Sequence, residues 1–241
     1  SSTSRGLGDV YKRQVQANSN FVDAYDWLAR THAAMGELDR SQAVLAKAVA
    51  VSPHAVRRLR TLGEIAFEAG DSDTAEKAFK QVVAKAKYSE FRDPEDHVKL
   101  VRTLVKRGDP VAAAAVIREL DRSMGGRQHA DACSAISSAL LHEYTGNGER
   151  LAEALNAAVA ASRDIPAMSA DLKLELARSC LEHDMAEGAA SIVREVMRNA
   201  SDATSMDRAM SVMAQAGQAE LGAVLAQEAR QHVGDLVAGG A

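Results

Sequence analysis

Gly36 and Gly70 stand 34 residues apart, each in the same local context. Met35-Gly36-Glu37-Leu38-Asp39 corresponds to Ala69-Gly70-Asp71-Ser72-Asp73. Arg107-Gly108-Asp109-Pro110 is a third copy, displaced by four extra residues around Ser89 to Arg92. A period of this length means supersecondary units that cannot bury their apolar faces alone and so stack on their neighbours.

The units are helical. Apolar residues recur at three-and-four spacing on either side of each glycine, the stripe of an amphipathic helix. Only 4% of the residues are aromatic, and alanine dominates an apolar set of 46%. Alanine is the best helix former, and its small side chain lets helices approach closely. The β-branched and aromatic runs that mark strands are missing. Glycine supplies the positive φ that ends the first helix of each pair, and the following aspartate suits the start of the next. Pro53 and Pro94 mark boundaries between pairs, because the residue before a proline disfavours helix.

Three helical hairpins follow. The first reads Tyr25-x2-Leu28-Ala29-x2-His32, Gly36, Ser41-x3-Leu45-x2-Ala48, Pro53. The second reads Leu59-x2-Leu62-Gly63-x2-Ala66, Gly70-Asp71, Ala75-x3-Phe79-x2-Val82. The third reads His97-x2-Leu100-Val101-x2-Leu104, Gly108-Asp109, Ala113-x3-Ile117-x2-Leu120. Ala29, Ser41, Gly63, Ala75 and Ala113 are small where paired helices would cross; Val101 is a larger residue at the third crossing. Residues 21–122 carry these matches, and they resemble the tetratricopeptide repeat. That resemblance implies an all-α, right-handed solenoid of antiparallel hairpins that binds a peptide or protein in its concave groove. Five to six hairpins are expected: three over residues 15–124, and degenerate hairpins with a C-terminal cap over 127–235.

In the second half the spacing predicts helices at Ala130 to Tyr144, Glu149 to Ser162, Ser169 to Glu182, Met185 to Asn199, Thr204 to Ala216 and Ala219 to Val233. Leu176-Ala177-x2-Cys180 followed by Ala189-x3-Val193-x2-Val196 echoes the repeat. Residues from Val237 onward read as a frayed end.

The resemblance assigns the groove to the first helix of each pair, off the hairpin seam. The candidate partner-binding residues are Asp23, Asp26 and Arg30; Arg57, Arg60, Glu64 and Phe67; and Val98, Arg102, Val105 and Lys106. Arg30, Arg57, Arg60, Arg102 and Lys106 would favour an acidic partner. The alternative is a solvated helix face. Asp26 and Arg30 do not match the lysine/asparagine clamp with which one subgroup holds a chaperone C-terminus. Trp27 reads as an apolar anchor packed against a lost N-terminal segment or the next helix, and the stripe Met206, Met210, Met213 reads as core.

Other chemistries have little support. Net charge is −4 with interspersed signs, against a nucleic-acid binder that neutralises phosphates with a basic stripe. No apolar run reaches the roughly 20 residues of a membrane span. His129 with Cys133, and Cys180 with His183, lack the further ligands that zinc needs. No nucleophile elbow, phosphate loop, HExxH or dinucleotide fingerprint occurs. The expectation is a scaffold with no catalytic residues, no metal and no cofactor. Two buried-type cysteines without a disulfide pattern point to a reducing compartment.

Two further resemblances bear on context. Asp9-Val10-Tyr11-Lys12-Arg13-Gln14 resembles a translated sequencing adapter, so residues 1–14 are expected to be a non-native tail ahead of a truncated chain. The stretch Phe21 to about Leu104 resembles the repeat domain of bacterial two-component response regulators, which implies a cytoplasmic output platform in a phosphorelay. The rival context is an envelope assembly factor for pili or exopolysaccharide, exported by a lost signal peptide.

Overall fold

The computed structural model describes residues 6, 9–14, 22–200, 203–215 and 217–239; of the expected non-native tail, residues 1–5, 7 and 8 lie outside them. Among the described residues every regular element beyond the tail is an α-helix. They run in pairs: α1 (Val22–Ala34) with α2 (Leu38–Val51), α3 (Val56–Glu68) with α4 (Ser72–Ala86), and α5 (Glu95–Lys106) with α6 (Pro110–Met124). There follow α7 (Gln128–Tyr144) with α8 (Gly148–Ala161), α9 (Ala170–Glu182) with α10 (Ala186–Asn199), and α11 (Ala203–Gln215) with α12 (Ala219–Gly239). The fold is all-α, built of consecutive helical hairpins as the repeat predicts.

One turn design closes all six pairs. The second residue past the end of the first helix is left-handed, at Gly36, Gly70, Gly108, Gly146, Asp184 and Gly217. The next amide reaches back five residues: Glu37 to His32 O, Asp71 to Ala66 O, Asp109 to Leu104 O, Asn147 to His142 O, Met185 to Cys180 O and Gln218 to Met213 O, at 2.8–2.9 Å. This Schellman bond satisfies a carbonyl that the helix end would otherwise orphan. The turn residues lie 34, 38, 38, 38 and 33 positions apart, so the repeat continues through the second half with a longer period. Asp184 does the work of glycine because a short polar side chain tolerates the left-handed region.

The helix starts follow from the same turns. Asp71, Asp109 and Asn147 each accept a bond from the amide three residues on: Thr74, Ala112 and Arg150, at 3.0, 2.9 and 3.2 Å. Glu37 makes no such cap. Its carboxylate instead holds His32 Nδ1 at 2.7 Å and Arg40 at 2.9 Å. The His32 bond is the main reason that carboxyl lies below its ordinary range.

By contacts the chain divides into two compact units, residues 1–116 and 117–241, the division falling within α6. In the first unit α1 packs on α2, α2 on α3, α3 on α4 and α4 on α5. Its core joins Ala29, Leu45, Leu62 and Ala78, flanked by Val44, Val49 and Ile65, and continues as Val56, Leu59, Val82 and Ala86. The predicted crossings are tight. Ser41 Oγ donates to Ala29 O at 2.8 Å across the first hairpin, and Ala75, Ala113 and Val101 are fully buried.

In the second unit α7 packs on α8, α9 on α10 and α11 on α12, with α10 also meeting α11 and α12. Cys133, Leu155, Ala177, Cys180, Val193, Met213 and Leu225 are buried. Of the methionine stripe, Met213 is core, while Met206 and Met210 are half-buried. The final helix extends to Gly239, past the Val237 at which the sequence predicted fraying. The first strong helix-stop signal there is Gly239 itself.

Candidate functional site

The face offered by α1, α3 and α5 in the first unit holds the residues that the sequence assigned to partner binding. Its charges are mostly spent within the protein. Arg58 on α3 grips Asp26 on α1 through both carboxylate oxygens, Nε to Oδ1 at 2.7 Å and Nη2 to Oδ2 at 2.6 Å. Arg60 on α3 grips Asp96 on α5 the same way, at 2.6 and 2.7 Å, and donates to Phe91 O at 3.2 Å. Glu64 on α3 accepts from Lys99 on α5. Behind them Arg107 pairs with Asp73, and with Glu76 at 2.7 Å.

These partners lie 32, 36, 35 and 34 residues apart, about one repeat. Successive hairpins are thus fastened by ion pairs as well as by apolar contact. Fork-to-fork arginine–carboxylate pairs fix geometry as well as adding energy. Asp96 is 1% exposed. Burial pushes its carboxyl above the ordinary range, against the pull of Arg60. The hydrogen bonds that Arg58 and Arg60 donate to Asp26 and Asp96 hold their guanidinium groups charged even more firmly than usual.

Several assignments change as a result. Arg60, predicted to meet an acidic partner, already has its carboxylate in Asp96. Asp26 and Glu64 are committed to Arg58 and Lys99. Val98 is 1% exposed and offers no binding surface; Val101 and Leu104, at successive three-residue steps, share the buried side of α5 with it. Trp27 is not a core anchor: it is 51% exposed. Tyr11 stacks on its ring with centroids 6.1 Å apart, and Arg30 lies 5.3 Å from its centre.

What remains at the surface has a consistent chemistry. Arg30 lies over Trp27, Arg57 over Phe91 at 5.5 Å, and Lys106 over Phe67 at 4.4 Å. Lys106 Nζ also donates to Phe67 O at 3.3 Å. Arg30, Arg57 and Lys106 are exposed, as is Asp23, whereas Arg102 and Val105 are half-buried. A cation over an aromatic face is held by the ring quadrupole, worth about 0.5–1 kcal/mol at exposed sites.

Phe91 was not among the predicted residues. It sits in the four-residue insertion that breaks the 34-residue period, just after Tyr88, which is 92% exposed. The insertion is itself ordered by hydrogen bonds: Ser89 Oγ to Ala86 O and Phe91 N to Ser89 Oγ, both 3.2 Å. The signal that could have found it is the break in period, since an aromatic carried by such an insertion has no role in the repeat.

No protein-family profile and no curated protein matches the chain. Its likeness is to solved structures. A tetratricopeptide repeat protein from Parabacteroides merdae aligns over 93% of this chain and 85% of its own, with a TM-score of 0.53 and 12% identity. The assembly chaperone of RpL4, Acl4, aligns over 100% and 93%, with a TM-score of 0.52 and 13% identity. Yeast Tom70 aligns over 92% of this chain and 46% of its own, with a TM-score of 0.50 and 17% identity. At these identities the likeness is one of fold, and the fold is that of the tetratricopeptide repeat. Among the described residues, no helix is long and apolar enough to cross a membrane.

Proposed function

We propose that the protein is a binding scaffold, and that the face of α1, α3 and α5 holds a peptide or protein segment rich in acidic side chains. The supporting observation is the set of three cation–aromatic pairs, Arg30–Trp27, Arg57–Phe91 and Lys106–Phe67. An incoming carboxylate pairs with the cation while the ring beside it takes up apolar surface. Aromatic residues and arginine dominate binding energy at interfaces for this reason. The ion pairs behind the face cannot serve a partner, but they preorganise it, which lowers the entropy lost on binding. In this reading the chain performs no catalysis and needs no cofactor.

The test is titration of the chain with acidic peptides that contain one aromatic residue, read by the emission of Trp27, the single tryptophan. A saturable shift that Arg57→Glu and Lys106→Glu weaken supports the reading. Equal binding by both variants removes this face from it. A finer version takes up the similarity to response-regulator repeat domains and makes the face an output platform answering to phosphorylation. The coding sequence ahead of Val15 tests that version: a receiver domain supports it and a signal peptide contradicts it.

A further inference from the structure

The connection from α8 to α9, residues 162–169, is tied down from three directions. Gln128 Nε2 donates to Arg163 O at 2.7 Å. Lys173 Nζ donates to Ile165 O at 2.9 Å. The Asp164 amide donates to Glu195 Oε2 at 3.3 Å. Ile165 and Met168 are buried beneath. The left-handed backbone of Asp164, at φ 54°, belongs to the same arrangement.

Lys173 is the unusual member. It is 4% exposed and spends its charge on Glu195 Oε1 at 2.5 Å. An apolar residue of similar volume would stabilise a helix core at least as well. What the buried pair adds is position: it fixes the loop against α10. Opposite the loop, Ser191, Arg194, Glu195 and Arg198 follow one face of α10, at three-, four- and seven-residue spacing. Loop and helix border an open concavity of about 410 Å³ whose lining includes Arg163, Asp164, Ser191, Arg194, Glu195, Arg198 and Asn199.

We infer that this concavity binds a phosphoryl group. Its donors are three guanidinium groups, a hydroxyl and an amide. Arg194 is oriented by Glu228, whose Oε2 accepts from its Nε at 3.0 Å, leaving the outer edge of the guanidinium for a ligand. Both Glu195 oxygens are already engaged, by Lys173 and by the Asp164 amide. The Asp164 carboxylate, also in the lining, opposes any anion. That decides between ligands: a phosphoryl dianion, with three acceptor oxygens, gains from each arginine and outweighs one repulsive carboxylate, whereas a carboxylate monoanion gains less. The site lies in the second unit and does not depend on the binding face of the first.

The experiment is amide NMR of the full chain at constant ionic strength, titrated with inorganic phosphate and, separately, with a phosphoserine peptide and its unphosphorylated form. Saturable shifts are expected at Arg163, Ser191, Arg198 and Asn199. Arg163→Glu and Arg198→Glu, both exposed and so compatible with folding, should each weaken binding roughly tenfold. Tighter binding of the phosphoserine peptide assigns the group to a partner's side chain; saturation by inorganic phosphate alone assigns it to the free ion. Shifts that grow without saturation, or that both variants leave unchanged, overturn the inference.

Discussion

A Cβ on Gly63 would lie 2.8 Å from Cε1 of Phe79, inside the contact distance of two carbons. The two residues mark the crossing of α3 and α4, and Phe79 is buried. Gly63→Ala gains about 1 kcal/mol of helix propensity. Overpacking costs about 1–3 kcal/mol. The net effect of Gly63→Ala runs from nothing to a loss of about 2 kcal/mol; Gly63→Leu should lose more, and be partly rescued when Phe79→Leu is added. Denaturation followed by Trp27 emission reads it. Wild-type stability in Gly63→Leu would place the crossing elsewhere.

The Arg60–Asp96 pair makes a second prediction. Asp96→Ala leaves the half-buried Arg60 without its carboxylate, and Arg60→Ala leaves Asp96 buried without a counter-ion. Breaking a buried pair costs about 3–5 kcal/mol, and the partial exposure of Arg60 puts these variants at or below the lower end. The double change Arg60→Met with Asp96→Leu should cost less than either single one. A double-mutant cycle showing no coupling would mean that the two hairpins are not fastened here.

Asp71 links local capping to pH. Its carboxyl lies below the ordinary range, chiefly because Thr74 hydrogen-bonds to it, with Gln42 Nε2 adding a contact at 2.5 Å. A lowered folded-state pKa gives stability that is present above the unfolded value and lost as pH falls through the folded one. Asp71→Ala should cost about 1 kcal/mol at neutral pH. That difference should shrink in acid, below the ordinary carboxylate pKa of about 4. A difference constant from neutral pH into acid would contradict the capping role.

The cysteines report on the second unit. Cys133 and Cys180 are both buried, and burial pushes the Cys180 thiol up to about 11. The thiolate is the reactive form. Neither cysteine should react with a thiol reagent at pH 8 until the chain unfolds, and the reaction rate should then follow unfolding of α7 and α9. Prompt labelling of the native chain would show this packing to be wrong.

The fold was legible because its grammar is local. Gly36, Gly70 and Gly108 announce the turns, and the small residues Ala29, Ser41 and Gly63 announce the crossings. The later turns were harder to read as a repeat because the period lengthens to 38 and Asp184 replaces glycine. The binding face was less legible. Helical position brought Arg30, Arg57, Phe67 and Lys106 forward, but Arg60 stood beside them with nothing in the sequence to show that Asp96 would take it. Arg58 and Lys99 were missed for the same reason. Each charge has several opposite charges about one repeat away, and only the packing of neighbouring hairpins selects among them. Trp27 is half exposed, with Tyr11 and Arg30 against its ring, so its size did not bury it under the next helix.

The most direct test of the central claim is selection from an unbiased displayed peptide library on the wild-type chain, repeated on a variant carrying Arg30→Glu, Arg57→Glu and Lys106→Glu. The scaffold reading predicts acidic, aromatic-containing peptides that shift Trp27 emission and fail to bind the variant, with helicity unchanged. Peptides without acidic character, or peptides that bind wild type and variant equally, would contradict it.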